Sequence, residues 1–160
     1  LELQLTLRSE GAMNVTGLDP KFEGNMTAAV HALEFDSVTH YQFVHITPMA
    51  RKYTDILADI KKEWEYIDRT FKMPYYPHIS VGWDSSPRYN SDRHNACLEN
   101  TPENVKKGFE MAKAYIDSHK NLKAPLVTVN SWNEWTETSY LEPDDLYGYG
   151  YLEAKFLESK

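Results

Sequence analysis

The fold and the site of this chain are decided by residues 125–144, Pro-Leu-Val-Thr-Val-Asn-Ser-Trp-Asn-Glu-Trp-Thr-Glu-Thr-Ser-Tyr-Leu-Glu-Pro-Asp. Residues 125–129 are an apolar run of β type, and three carboxylates and three aromatic rings follow it: Glu134, Glu137, Glu142, Trp132, Trp135 and Tyr140. Paired carboxyl groups break glycosidic bonds, and aromatic faces pack against the apolar face of a sugar ring. The stretch therefore predicts a carbohydrate site where a strand ends and a loop begins.

Helices and strands are predicted to alternate along the rest of the chain. Apolar residues spaced by three or four predict an amphipathic helix over 53–71, and Thr101-Pro102-Glu103 is typical of a helix start. The complete prediction is a strand or irregular entry at 1–8, a loop at 9–25, helices at 26–33, 53–71, 101–119 and 147–157, and strands at 37–45, 77–83 and 125–130.

Such alternation indicates parallel strands joined by helical crossovers, a fold of the α/β class. Polar and aromatic residues follow each of the three strands, as expected when a site lies at the carboxyl ends of parallel strands. Three or four β/α units are too few for a complete barrel. We therefore expect residues 1–160 to be a single partial domain, the C-terminal half of a (β/α)₈ barrel, with a smaller open α/β sheet as the alternative.

Composition excludes several classes of partner. The formal charge is −7 without a basic run, so nucleic acid and anionic membranes are poor candidates. No apolar run approaches the roughly 20 residues of a membrane span. The chain has one cysteine and six scattered histidines, which predicts neither a metal site nor a cofactor. A neutral carbohydrate is compatible with this charge, and the oligomeric state is not predicted.

Glu134 and Glu137 are the predicted catalytic pair. In a turn after the strand, positions three apart share a face, and close like charges with burial under Trp132 and Trp135 would raise the pKa of one carboxyl, as an acid catalyst requires. The alternative is a solvated acidic loop. Asn133 is a candidate ligand for a sugar hydroxyl or a turn residue, and Glu142 is either a second such ligand or an exposed loop acid.

A second cluster follows the 77–83 strand. Trp83 is predicted to stack on a sugar and Asp84 to accept a hydroxyl; alternatively, Asp84 pairs with Arg88 to hold the loop. Tyr41 lies at the end of the 37–45 strand. The complete set of predicted substrate-binding residues is Tyr41, Trp83, Asp84, Arg88, Trp132, Asn133, Trp135, Tyr140 and Glu142. Trp64, on the apolar stripe of the 53–71 helix, is predicted to lie in the core.

Two motifs resemble a known family. The Asn-Glu-Trp-Thr-Glu segment with its flanks, followed by Tyr147-Gly-Tyr-Gly-Tyr-Leu-Glu-Ala154, is similar to the C-terminal signature of glycoside hydrolase family 99 and the related WbsX-type proteins. Gly82-Trp-Asp-Ser-Ser-Pro-Arg88 resembles a second signature of the WbsX-type group. The resemblance covers about residues 36–157. Family 99 usually has glycine where this chain has Thr138.

This resemblance implies a (β/α)₈ barrel and endo-acting, retaining cleavage of α-mannosides. It assigns Glu134 as the base that assists the substrate's own 2-hydroxyl and Glu137 as the general acid/base at the leaving oxygen. We therefore expect a bacterial glycoside hydrolase acting on a polysaccharide or glycan. The alternatives are a transferase of polysaccharide biosynthesis and a non-catalytic carbohydrate-binding domain. The compartment is not predicted, although a polysaccharide degrader would be secreted or periplasmic.

Overall fold

Two helices alternate with short parallel strands in this protein. The computed structural model describes residues 36–89 and 95–155. In chain order the elements are strand β1 (Val38–Thr39), a 3₁₀ turn (Phe43–His45), helix α1 (Tyr53–Thr70), strands β2 (Tyr75–Tyr76) and β3 (His78–Ser80), a 3₁₀ turn (Ser86–Arg88), helix α2 (Pro102–Ser118), strands β4 (Thr128–Asn130) and β5 (Asn133–Glu134), a 3₁₀ turn (Trp135–Glu137), strand β6 (Ser139–Tyr140) and helix α3 (Gly150–Ala154).

The helices form where the apolar spacing predicts them. Helix α1 buries one stripe against the rest of the molecule, consisting of Tyr53, Ile56, Leu57, Ile60, Trp64 and Ile67. Helix α2 begins after Thr101, whose hydroxyl accepts a hydrogen bond from the backbone N–H of Asn104. Burial of a large apolar side chain stabilises the folded state by about 1.5–3 kcal/mol, so the stripe of α1 is a main source of the core's stability.

The two crossover helices pack against each other and against the strands. Trp64 of α1 makes edge contacts with Tyr115 of α2 at 5.5 Å between ring centroids. It also lies 6.1 Å from the ring of Tyr75 in β2. Tyr53 donates from its hydroxyl to the carbonyl of Ser80 at 2.7 Å. These contacts fix the helices behind the strands and confirm Trp64 as a core residue.

The strands are parallel, as the alternation predicts. Strand β1 pairs with β2, and β3 pairs with β4 in the register His78 to Thr128 and Ser80 to Asn130. Only Pro77 separates β2 from β3, and its carbonyl accepts from the backbone N–H of Thr128. The α/β class is therefore confirmed, with crossover helices α1 and α2 joining parallel strands.

Strand lengths differ from the predictions. The expected strands at 37–45, 77–83 and 125–130 shorten to β1, β3 and β4, and Phe43–His45 is a 3₁₀ turn rather than a continuation of β1. The helix expected over 147–157 is observed as α3, Gly150–Ala154. Residues 156–157 lie outside the described residues, as do the elements expected at 1–33. The closing hairpin of β5 and β6 is antiparallel, a feature that was not predicted.

Candidate active site at the strand ends

Glu137 is the most enclosed acid of the predicted site. It ends the 3₁₀ turn after β5, and only 6% of its surface is exposed. Its Oε1 lies 2.8 Å from a terminal guanidinium nitrogen of Arg88, and its Oε2 accepts a hydrogen bond from Nε2 of Gln42 at 2.5 Å. Both carboxylate oxygens are therefore held by groups that follow two other strands.

Glu134 is more open, with 37% of its side chain exposed. Its Oε1 accepts from the hydroxyl of Thr136 at 2.6 Å and lies 3.3 Å from the second terminal nitrogen of Arg88. The Thr136 hydrogen bond, followed by the contact with Arg88, lowers the pKa of Glu134 below its ordinary value. The sequence predicts a raised pKa for one of the two carboxyls, and Glu134 is not that one: Trp132 and Trp135 remain 52% and 45% exposed and do not enclose it.

Arg88 joins the two acids. Its guanidinium contacts Glu137 and Glu134 through separate nitrogens and donates from Nε to Thr136 at 2.8 Å. Asp84, the partner considered for Arg88 from the sequence, has a different role. Its Oδ1 accepts from the backbone N–H of Ser86 at 2.8 Å, and its own N–H donates to the carbonyl of Glu137 at 2.7 Å. The alternative that Asp84 and Arg88 pair to hold the loop is thus wrong.

Local hydrogen bonds turn both glutamates to one side of the hairpin. Ser131 donates from its hydroxyl to the carbonyl of Ser139 at 2.8 Å and accepts from the backbone N–H of Glu134 at 3.0 Å. Thr138 follows the 3₁₀ turn in the left-handed conformation, with φ at 51°. This left-handed residue reverses the chain into β6, and residues 134–138 form the bend that brings both acids near Arg88.

The neighbouring loop approaches this hairpin closely at Gly82. A Cβ atom at that position would lie 2.6 Å from the carbonyl oxygen of Thr138 and 2.5 Å from the Asn100 amide nitrogen. Glycine therefore permits the contact between the segment that carries Arg88 and the segment that carries the two acids.

The aromatic residues divide into exposed and packed groups. Trp135 stacks on Tyr140 at 3.9 Å between ring centroids, and its Nε1 donates to Glu142 at 2.9 Å. Glu142 thus orients a ring and is not a free loop acid. Trp132 and Asn133 are exposed beside them. Trp83 is half-buried against the core, and its Nε1 is enclosed without a hydrogen-bond partner in the described part of the chain.

Tyr41 and Gln42 bring the end of β1 into the site. Partial burial raises the pKa of Tyr41, and the charges of Glu137 and Glu134 add to this effect, while Arg88 opposes it. Gln42 was not predicted, and neither was Thr136. The position of Gln42 directly after Tyr41 at a strand end was the available signal, and Thr136 stands between the two acids.

A cavity of about 220 Å³ opens at the same edge of the strands. Its wall includes Tyr41, Asn133, Glu134, His40 and His78. Burial lowers the pKa of both histidines to about 3, so both imidazoles are neutral at physiological pH. Apart from Glu134, this part of the wall offers neutral hydrogen-bonding groups, which suit a polyhydroxylated ligand.

Residues 36–89 and 95–155 contain neither a metal-binding cluster nor a membrane-spanning helix. In these ranges no three His, Cys, Asp or Glu side chains group in a way that could hold a metal ion. No helix in these ranges has both the length and the apolar character required to cross a bilayer.

A family model described as "Glycosyltransferase WbsX" matches residues 6–155 of this sequence. The chain belongs to this family. The match includes both loops that form the site, the one ending at Arg88 and the one carrying Glu134 and Glu137. The WbsX-type resemblance of the two motifs is therefore confirmed.

Curated relatives of this WbsX-family chain include two proteins named "Uncharacterized protein WxcX", from two strains of Xanthomonas campestris pv. campestris, B100 and ATCC 33913. Each is 35% identical over 83 residues, or 49% of this chain. The aligned part spans only 11% of their length.

Solved structures similar to the chain include a GH99 endo-alpha-mannosidase from Bacteroides thetaiotaomicron, alone and in complex with Bis-Tris propane. The identity is 14% and the TM-score 0.48, over 79% of this chain and 37% to 39% of the mannosidase. A likeness of this extent does not identify a shared activity.

Proposed function

We propose that the protein is a glycoside hydrolase that cleaves an α-linked polysaccharide or glycan with Glu134 and Glu137 as its catalytic acids. The observation that carries this proposal is the convergence of these two carboxylates on one guanidinium at the carboxyl ends of parallel strands. Two carboxyl groups beside a polar cavity are the minimum equipment for glycoside hydrolysis.

The roles of the acids follow from the family resemblance together with their surroundings. Glu134, which is open to solvent and the cavity, is proposed as the base that assists the substrate's 2-hydroxyl. Glu137 is proposed as the general acid/base at the leaving oxygen. Because Glu137 contacts Arg88 at 2.8 Å in the free protein, proton donation requires that this contact loosens when substrate binds.

The sugar is proposed to lie across the cavity and the exposed aromatic rings. Trp132 and Trp135 present half-exposed indoles beside the acids, and the tips of Tyr41 and Asn133 supply hydrogen-bonding groups. We propose an endo-acting, retaining enzyme for a mannose-containing chain because these properties belong to the resembling family. Trp83 contributes by supporting the loop that carries Asp84 and Arg88.

In this proposal the chain supplies the later β/α units of a (β/α)₈ barrel, residues 1–160 forming one partial domain. The parallel pairs β1–β2 and β3–β4, with α1 and α2 as crossovers, are compatible with that architecture. Earlier strands of a longer protein would then supply the remaining walls of the cleft.

Glycosyl transfer is the second candidate, and the name of the family model favours it. A retaining transferase could use the same two carboxylates, with a sugar hydroxyl in place of water as the acceptor. A non-catalytic carbohydrate-binding domain would need the aromatic rings but neither glutamate.

Hydrolysis of α-mannans and bacterial polysaccharides by the full-length protein tests the proposal, with Glu134→Gln and Glu137→Gln as the variants. We expect sugar release by the wild type and its loss by about 10²-fold or more in either variant, since general acid–base catalysis contributes about this much. Glu153→Gln, a change at an exposed acid of α3, is the matched control. Sugar binding with no release in any variant would reject hydrolysis, and product elongation on an added acceptor would identify a transferase.

A further inference from the structure

We propose that Arg88 is the positioning residue of this site, whose guanidinium bridges Glu134 and Glu137, compensates their like charges and fixes the spacing of their carboxyl groups. The inference deepens the proposed function and rests on it for the catalytic roles of the two acids. The sequence suggested only that Arg88 binds substrate or holds its own loop.

The contacts of Arg88 carry this inference. Three guanidinium nitrogens have three different partners: one terminal nitrogen lies 2.8 Å from Glu137, the other lies 3.3 Å from Glu134, and Nε donates to Thr136 at 2.8 Å. Thr136 in turn donates to Glu134 at 2.6 Å. A planar fork with donors in fixed directions holds such a set together, which the single point charge of a lysine cannot do.

Charge gives the second reason. Two carboxylates carried on positions three apart repel each other, and a guanidinium between them removes most of that repulsion. The other groups around the pair are Gln42, which donates to Glu137, Tyr41, which senses the charge of both acids, and Asp84, whose backbone N–H donates to the Glu137 carbonyl. Among residues 36–89 and 95–155, Arg88 is the cation that both carboxylates contact.

Burial makes the bridge asymmetric. The Glu137 end is enclosed, with 8% of the side chain exposed, whereas Glu134 and Arg88 are 37% and 40% exposed. A substrate hydroxyl therefore reaches the Glu134 end first. The bridge opens first at its longer contact, with Glu134, and Arg88 keeps Glu137 oriented until the bound sugar loosens the Arg88–Glu137 contact as well.

Two measurements on Arg88→Met and Arg88→Lys test this role in the full-length protein. The first is the titration of the Glu134 carboxyl in the absence of substrate, followed by carbon NMR of labelled glutamate and assigned with Glu134→Gln. The second is the separation of kcat from KM for sugar release. Arg51→Met is the matched control because Arg51 is also half-exposed and paired with an acid, Asp59, at 2.8 Å.

We expect Glu134 to titrate at higher pH in Arg88→Met than in the wild type and in Arg51→Met. We expect kcat to fall by about 10²-fold with little change in KM, because misplaced catalytic groups lower the rate by about this factor. In Arg88→Lys the titration of Glu134 should return part of the way to that of the wild type, since the positive charge remains. Little of kcat should return, since the planar guanidinium is lost.

An unchanged Glu134 titration in an Arg88→Met protein that melts like the wild type would overturn the proposal. An increase in KM with kcat unchanged would also overturn it, since Arg88 would then bind substrate. If Arg88→Met fails to fold, the comparison of Arg88→Lys with the wild type decides between the same outcomes. If the wild type releases no sugar, the proposed function fails, while the titration still decides whether Arg88 bridges the acids.

Discussion

At the scale of single residues, Thr138 sets the direction of the chain between the two acids and the strand that follows. Its φ of 51° places a β-branched residue in the left-handed region, which costs about 1–2 kcal/mol for residues other than glycine. The Thr138 hydroxyl offsets little of this conformational cost, because its hydrogen bond to the Asp84 carbonyl is long, at 3.4 Å. Glycoside hydrolase family 99, which this segment resembles, usually has glycine here, whereas this chain has a threonine in a strained conformation.

We therefore expect Thr138→Gly to raise the free energy of unfolding by about 0.5–1 kcal/mol, the relief of the strained conformation less the greater freedom of glycine in the unfolded chain. Urea denaturation measures this change. Thr138→Ala is the control, since alanine removes the hydroxyl but keeps the Cβ atom that causes the strain. A glycine variant no more stable than the alanine variant would show that the turn is not strained.

At the scale of elements, the sequence predicts the helices better than the strands. The period of apolar residues from Ile56 to Ile67 defines α1, and Thr101-Pro102 defines the start of α2, because both signals are local. Strand ends depend on pairing with distant segments. Phe43 leaves the β conformation because its backbone N–H finds the hydroxyl of Ser80, a contact that no local pattern reveals.

The site shows the same division between local and distant information. The position of Glu134 and Glu137 after a strand was readable from residues 125–144, and the structure places them around one guanidinium. The sequence does not predict that Arg88 contacts Glu137, because Asp84 is only four positions from Arg88 along the chain, whereas Glu137 is forty-nine positions away and approaches Arg88 only in the folded protein. Gln42 escaped prediction for the same reason, since it reaches Glu137 from the end of β1.

The start of α2 gives a prediction at this scale. The Thr101 hydroxyl accepts from the N–H of Asn104, one of the helix's otherwise unpaired donors. Replacing Thr101 by Ala should lower the free energy of unfolding by about 0.5 kcal/mol, the low end for an N-cap because the hydrogen bond is long, at 3.4 Å, whereas Thr101→Ser, which keeps the capping oxygen, should leave it nearly unchanged. Thermal and urea unfolding of the two variants measure the difference. Equal losses in both would mean that the side-chain methyl group, not the cap, supports the helix.

At the scale of the whole molecule, buried neutral groups link stability to pH. His40 and His78 lie beneath the strand ends, where burial lowers the pKa of each to about 3. His40 donates or accepts at Tyr75 through Nδ1, at 2.8 Å, and its Nε2 lies 3.9 Å from Glu63. Burial also raises the pKa of Glu63. Burial disfavours the charged form of both groups, and the neutral imidazole of His40 gives Glu63 no cationic partner, so the 3.9 Å contact is not a strong ion pair.

The sign of the pH effect follows from these directions. The pKa of each histidine is about 6.5 in the unfolded chain and about 3 in the folded protein. Between pH 6.5 and pH 3, each histidine therefore binds a proton more readily when the chain is unfolded. The histidine contribution to stability is therefore complete above pH 6.5 and is lost as the pH falls towards 3, by about 1.4 kcal/mol per pH unit for each histidine. Glu63 has the opposite effect: because burial raises its pKa above the ordinary value of 4.5, its contribution to stability decreases as the pH rises above 4.5.

We therefore expect the free energy of unfolding to decrease steadily below pH 6.5. His40 and His78 contribute equally to this dependence, so His40→Gln should remove about half of the slope that the two histidines cause. Urea denaturation at intervals between pH 7 and pH 5 gives the slope, and the measured quantity is the slope rather than the stability at one pH, because the variant also loses the contact with Tyr75. His119→Gln is the control: this histidine is only half-buried, against Tyr115 and Asp68. Equal slopes in the wild type and His40→Gln would mean that His40 has the same pKa in the folded and the unfolded protein, so that burial does not keep its imidazole neutral as the pH falls below 6.5.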